Sequence, residues 1–169
     1  GIRDHWVTGV QTCALPISCE PLAEAFEPAS SDVMKASIRR LEARTPLGST
    51  DFSAAIETAA GLFKESLRAK AVVYIGDGPG FSGVEAQEFA SGLDLLRSQR
   101  ISFSALGIGP QVNWPCLAAA ASATGGMLIV PAEGESVADA GKRIALLAVQ
   151  PVAWPTEVAL SSKGDSKRS

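Results

Sequence analysis

From Ser30 to about Val149 the apolar positions switch repeatedly between a helical period and short unbroken runs. Ser31 or Asp32 can cap a helix that carries Met34, Ile38 and Leu41 on one stripe and is stopped by Pro46. A second helix is expected from Asp51 to Leu67, with Phe52, Ile56, Ala59, Ala60, Phe63 and Leu67 on its buried face. Ala71-Val-Val-Tyr-Ile75 is apolar without alternation, the pattern of a central strand covered on both faces in a parallel sheet. The unit then repeats. Ala86, Phe89, Leu93 and Leu96 mark a helix, and Ile101 to Ile108 a strand ending in Gly107-Ile-Gly-Pro110. Leu117 to Ala123 reads as an Ala-rich helix ended by Gly125 and Gly126, and Met127 to Val130 as a short strand. Ser136 with Asp139 forms an approximate capping arrangement for a last helix through Ile144 and Leu147. Strands separated by helices are βαβ units, so the fold class is α/β with right-handed crossovers.

Composition adds bounds to this outline. The 169 residues are 46% hydrophobic and 20% charged, enough apolar material for one domain with a core of ordinary size. A net charge of −3 and Lys and Arg residues scattered except in the tail give no electrostatic footprint for nucleic acid. No apolar run approaches the roughly 20 residues that cross a bilayer, so no membrane segment is expected. The three cysteines set neither a disulfide framework nor a metal-type spacing.

Candidate chemistry sits in two loops. Thr45-Pro-Leu-Gly-Ser-Thr-Asp51 opens the second helix, and Val72-Val-Tyr-Ile-Gly-Asp-Gly78 closes the first predicted strand of the repeating region. In an open parallel sheet, ligands sit beyond the carboxyl ends of strands, which is where Asp77 falls. Gly76 and Gly78 let the backbone turn sharply there, while Pro79 and Gly80 stop the strand. Thr50 stands just before the second helix. Its hydroxyl and the Asp77 carboxylate are hard oxygen ligands of the kind Mg²⁺ accepts. The same residues also have plainer roles open to them, Thr50 as a helix N-cap and Asp77 as the hydrogen-bonding residue of its own turn.

These two loops resemble two of the three loops of the metal-ion-dependent adhesion site in the von Willebrand factor A (vWA) domain family, with Thr50 and Asp77 at the matching positions. Ser102-Phe-Ser-Ala-Leu-Gly-Ile-Gly109 resembles the following strand of that family, and Ala123-Thr-Gly-Gly-Met127 its next helix end. The resemblance implies a doubly wound, mostly parallel sheet with helices on both faces. It also implies a divalent ion, Mg²⁺, held weakly by Thr50 and Asp77, a protein partner, and a binding or scaffold role without covalent chemistry, as in the vWA modules of large bacterial proteins. The family's third loop, Asp-x-Ser-x-Ser after a central first strand, does not occur in these residues. The metal site is therefore expected to be incomplete and the neighbouring strand, Ala71 to Ile75, to have an unpaired edge.

Val7-Thr-Gly-Val-Gln-Thr-Cys-Ala-Leu-Pro-Ile-Ser18 resembles an in-frame translation of a sequencing-library adapter. Residues 1–18 are accordingly read as a non-native segment, 19–150 as a partial, N-terminally truncated vWA-like domain, and 151–169 as an exit linker or the start of a further domain. Ile75-Gly-Asp-Gly78 also resembles the last acidic motif of haloacid-dehalogenase-like phosphatases, which makes a phosphatase fragment the alternative. That family's Asp-x-Asp nucleophile motif is missing from this sequence. So are a P-loop and a Gly-x-Ser-x-Gly elbow; Gly107-Ile-Gly109 is followed by Pro110, Gln111 and Val112 and so lacks the third glycine of a dinucleotide fingerprint, and the single histidine, His5, lies in the segment read as non-native. The expectation is a module that is not an enzyme.

Overall fold

The computed structural model describes residues 7–8, 11–15, 18–22, 26–43, 51–63, 68–79 and 86–154. Near the start, β1 (Val7–Thr8) pairs antiparallel with β4 (Glu27–Pro28), and β2 (Gln11–Leu15) with β3 (Ser18–Pro21). The helix α1 (Asp32–Glu42) begins at Ser31, whose hydroxyl accepts the Met34 amide as an N-cap. Met34 is buried as its stripe predicts, but Ile38 and Leu41 are exposed. Ser37 takes the inward position instead, donating its hydroxyl to the Leu22 carbonyl at 3.1 Å. Its hydroxyl is satisfied there, as a buried polar group requires.

The main sheet among the described residues has the order β5 (Lys70–Gly76), β6 (Ile101–Gly107), β7 (Leu128–Ile129), with all pairs parallel. Four helices pack against it or each other: α2 (Phe52–Gly61), α3 (Ala86–Ser98), α4 (Trp114–Ala123) and α5 (Val137–Ala148). Strand β6 is buried along its whole length and divides two cores. Ile101, Phe103 and Ala105 point to one face and pack with Phe52, Ile56 and Ala60 of α2, Leu96 of α3, and Leu117 and Ala120 of α4. Leu106 points to the other face and packs with Ile129 and with Ala140 and Ile144 of α5. The period-2 alternation of one strand therefore serves helices on both sides, which is the doubly wound α/β arrangement.

Aromatic rings consolidate the first core. Phe52 meets Tyr74 and Phe103 edge-on at centroid distances of 5.3 and 5.9 Å, and lies against Phe89 at 6.0 Å. The chain past α5 also touches this body: a Cβ at Gly125, where φ is +70°, would strike the Val152 side chain.

Three expectations need correction here. The cap of α2 is Asp51, whose carboxylate accepts the Ala54 amide at 2.9 Å, and not Thr50. That helix ends at Gly61, short of Leu67, which lies outside the described residues. Strand β5 is not covered on both faces, since Val73 and Ile75 are 42% and 57% exposed while Val72 and Tyr74 join the first core. Among the described residues β5 pairs with β6 alone. No helix among them is long and apolar enough to cross a membrane.

Candidate functional site

The parallel register places Gly76 beside Gly107, so β5 and β6 end level with one another. Past that edge the Ile108 amide donates to the Gly76 carbonyl at 3.0 Å, continuing the ladder by one bond. Asp77 follows in a turn and is exposed. Gly78 has φ of +86°, a conformation that side chains other than glycine's disfavour, and a Cβ there would sit 3.3 Å from Leu117. Gly109 approaches from the neighbouring loop with φ of +125°, where a Cβ would lie 3.2 Å from that of Asp77.

Two side chains fasten this turn from below. The Gly78 amide donates to the Tyr74 hydroxyl at 3.0 Å. Burial pushes the Tyr74 phenol above its usual range; the Gly78 bond opposes that and the nearby Asp77 charge adds to it. Asn113 completes the hold: its backbone amide donates to the Asp77 carbonyl at 2.7 Å and its Nδ2 to the Pro79 carbonyl at 3.1 Å. The Oδ1 of the same residue accepts the Cys116 amide at 3.3 Å, which makes Asn113 the N-cap of α4. Trp114 then lies across Gly107, where any Cβ would collide with the indole.

The result is a turn whose backbone is tied down while its carboxylate is left without a hydrogen bond among the described residues. An exposed hard oxygen donor at the carboxyl edge of a parallel sheet suits a divalent cation. A single carboxylate does not hold one by itself, and no group of three or more His, Cys, Asp or Glu side chains that could do so occurs among the described residues. Thr50, the other candidate ligand, lies outside them. A shallow groove of about 380 Å³ between α2 and α3 is lined by Asp51, Glu57 and Glu88 among others, and Asp77 is not part of it.

Sequence reasoning found Asp77 and both glycines but missed Asn113 and Tyr74. Asn113 carried a usable signal, since Asn followed by Pro at the second helical position marks a helix start. Tyr74 carried a weaker one, a hydroxyl in an apolar strand that needs a partner once buried.

A family model described as "von Willebrand factor type A domain" matches residues 7–129. No curated protein matches the chain in sequence. Among solved structures, a von Willebrand factor type A protein from Catenulispora acidiphila aligns with TM-score 0.70 at 14% identity, covering 86% of this chain and 34% of that one. The present chain thus spans about a third of that relative's length. A conserved hypothetical protein, BatB, from Bacteroides thetaiotaomicron aligns with TM-score 0.60 at 15% identity over 85% of this chain and 81% of that one. Manganese-loaded TRAP protein from Plasmodium vivax aligns with TM-score 0.56 at 16% identity over 76% of this chain and 51% of that one. At these identities the structural likeness speaks for the fold.

Proposed function

Because the chain belongs to the von Willebrand factor type A family, we propose that it is a protein-binding or scaffold module, with Asp77 and Thr50 as remnants of a divalent-metal adhesion site. The observation that carries this reading is Asp77 itself. Its exposed carboxylate stands beyond the carboxyl end of β5, on a turn whose backbone is satisfied by Tyr74 and Asn113. A carboxylate without a hydrogen bond among the described residues, on a braced turn, is suited to an external ligand, whereas a purely local turn Asp would bond its own backbone. The manganese in TRAP supports a divalent ion as that ligand in a protein of this fold.

Mg²⁺ demands a near-octahedral oxygen shell and dehydrates reluctantly. When bound, the ion would supply a positive charge at the sheet edge able to accept an oxygen from a protein partner. Asp77 and Thr50 would offer two of its ligands and leave the rest to water, so affinity is millimolar or weaker. The module performs no covalent chemistry. The segment that suggested a phosphatase fragment, Ile75 to Gly78, lies inside the family match, which leaves that alternative without separate support.

The test is a titration of the 169-residue chain with Mn²⁺, read by line broadening of backbone amides around Asp77. Broadening centred on Asp77 and Gly78, abolished by Asp77→Ala, is the expected result. Equal broadening in Asp77→Ala would return Asp77 to an ordinary turn residue.

A further inference from the structure

We propose that Asn113 is the positioning residue of the Asp77 site, and that it couples the backbone turn that carries that carboxylate to the start of α4. The proposal rests on the reading of Asp77 as the ligand-bearing residue. Its support is the way Asn113 spends its polar groups. The residue is only 7% exposed, and its backbone amide, Nδ2 and Oδ1 are all engaged, at 2.7, 3.1 and 3.3 Å. Two of those bonds go to the carbonyls of Asp77 and Pro79, on either side of Gly78. The third goes to the first turn of α4.

Gripping both flanks of Gly78 fixes the plane of the turn, and the Tyr74 hydroxyl fixes its middle through the Gly78 amide. What is left without a fixed orientation is the Asp77 side chain alone. A helix cap elsewhere in this molecule, Ser136 on α5, bonds only within its own turn and its own helix start. Asn113 differs because it reaches across 34 residues to another loop. A serine could cap α4 as well. It could not span to Pro79, so the longer amide is explained by the turn and not by the helix. Since coupling is reciprocal, a ligand that orders Asp77 also orders the start of α4, and a contact on the partly exposed Trp114 at that start alters affinity at Asp77 by the same factor.

The experiment compares the full chain with Asn113→Ser, which keeps a capping hydroxyl and drops the Nδ2 bond, and with Asn113→Ala, which drops both. Backbone amide exchange at Gly78 and residue 113 is measured beside thermal unfolding and Mn²⁺ line broadening. In the unmodified chain, both amides exchange nearly as slowly as that of Ala105 in β6, which is bonded to Met127. In Asn113→Ser they exchange at least about tenfold faster while that of Ala105 stays slow, the melting temperature falls modestly because the buried Pro79 carbonyl loses its partner, and the apparent Mn²⁺ affinity falls about fivefold. Asn113→Ala adds a loss of melting temperature. Unprotected Gly78 and Asn113 amides in the unmodified chain overturn the proposal without any variant. So does unchanged exchange in Asn113→Ser, or faster exchange with unchanged Mn²⁺ affinity, which would make Asn113 a structural cap only. If the unmodified chain binds no Mn²⁺, the metal reading of Asp77 fails separately, and exchange alone decides whether Asn113 holds the turn.

Discussion

Replacing Thr124 by valine removes one hydroxyl from a fully buried position and leaves the volume nearly unchanged, which isolates a single hydrogen-bond network. Thr124 Oγ1 accepts the Phe103 amide at 2.9 Å and donates to the Ala120 carbonyl at 2.8 Å. The first bond matters more. The described β6–β7 register covers only Ala105 and Leu106, so at Phe103 the threonine stands in for a strand neighbour. In Thr124→Val that amide is left buried and unpaired, at a cost of about 2 kcal/mol. For a chain of this size the melting temperature should fall by roughly 4–8 °C. Thr124→Ser is the control. It keeps the hydroxyl and removes one methyl group, at a cost of about 1 kcal/mol. Urea unfolding followed by far-ultraviolet circular dichroism gives both free-energy differences, and an unchanged slope shows that the surface exposed on unfolding is the same. The reasoning is refuted if Thr124→Val is as stable as Thr124→Ser, because packing and not the hydroxyl would then account for the residue.

Further expectations concern other parts of the fold. Gly126→Ala should destabilise by about 3 kcal/mol, seen in the same urea titration, because its Cβ would fall on the Phe103 backbone carbonyl and force β6 and the end of α4 apart. Tyr74 is the only tyrosine, so absorbance at the phenolate band reports it alone; its midpoint should lie above 10.0 in the folded chain and return toward that value in denaturant. The unfolded phenol ionises first, so stability from this group is complete below its ordinary pKa and is lost as pH rises through the folded one. Asp139 behaves in the opposite sense. The Ser136 hydroxyl, then Lys142, hold its carboxyl below the usual range, so its contribution is present above the ordinary carboxylate pKa and is lost as pH falls through the folded value. Ser136→Ala should flatten that acid-side loss, as read by α5 amide exchange against pH.

Much of the framework was legible from spacing. The helix at Ser136 and the strand from Ile101 announced themselves through a capping pair and an unbroken apolar run, and both occur where those signals put them. The errors share a cause: hydrophobic period locates an element but not its neighbours. Ile38 and Leu41 fit a stripe that α1 does not bury, while Ser37, off that stripe, is buried against the Leu22 carbonyl. Val73 and Ile75 fit a covered strand, yet coverage depends on what lies opposite, which no local pattern encodes. The α2 cap moved by one residue because Thr50 and Asp51 are both good capping types and only backbone geometry chooses between them. At the site, Asp77 was visible because glycines flank it. Asn113 was not connected to it, since the bond that matters joins residues 34 apart.

That long-range bond also ties the turn after β5 to a much later part of the chain. Strand β5 and the turn after it exist in sequence well before α4, but the carbonyls of Asp77 and Pro79 acquire their partner only when Asn113 comes into place. Closing such a loop costs chain entropy that short-range turns do not face, and the pairing of β5 with β6, which joins residues as far apart as Lys70 and Ile101, brings its ends together. A chain that has emerged only as far as Asp77 therefore lacks the residue that ties down this turn.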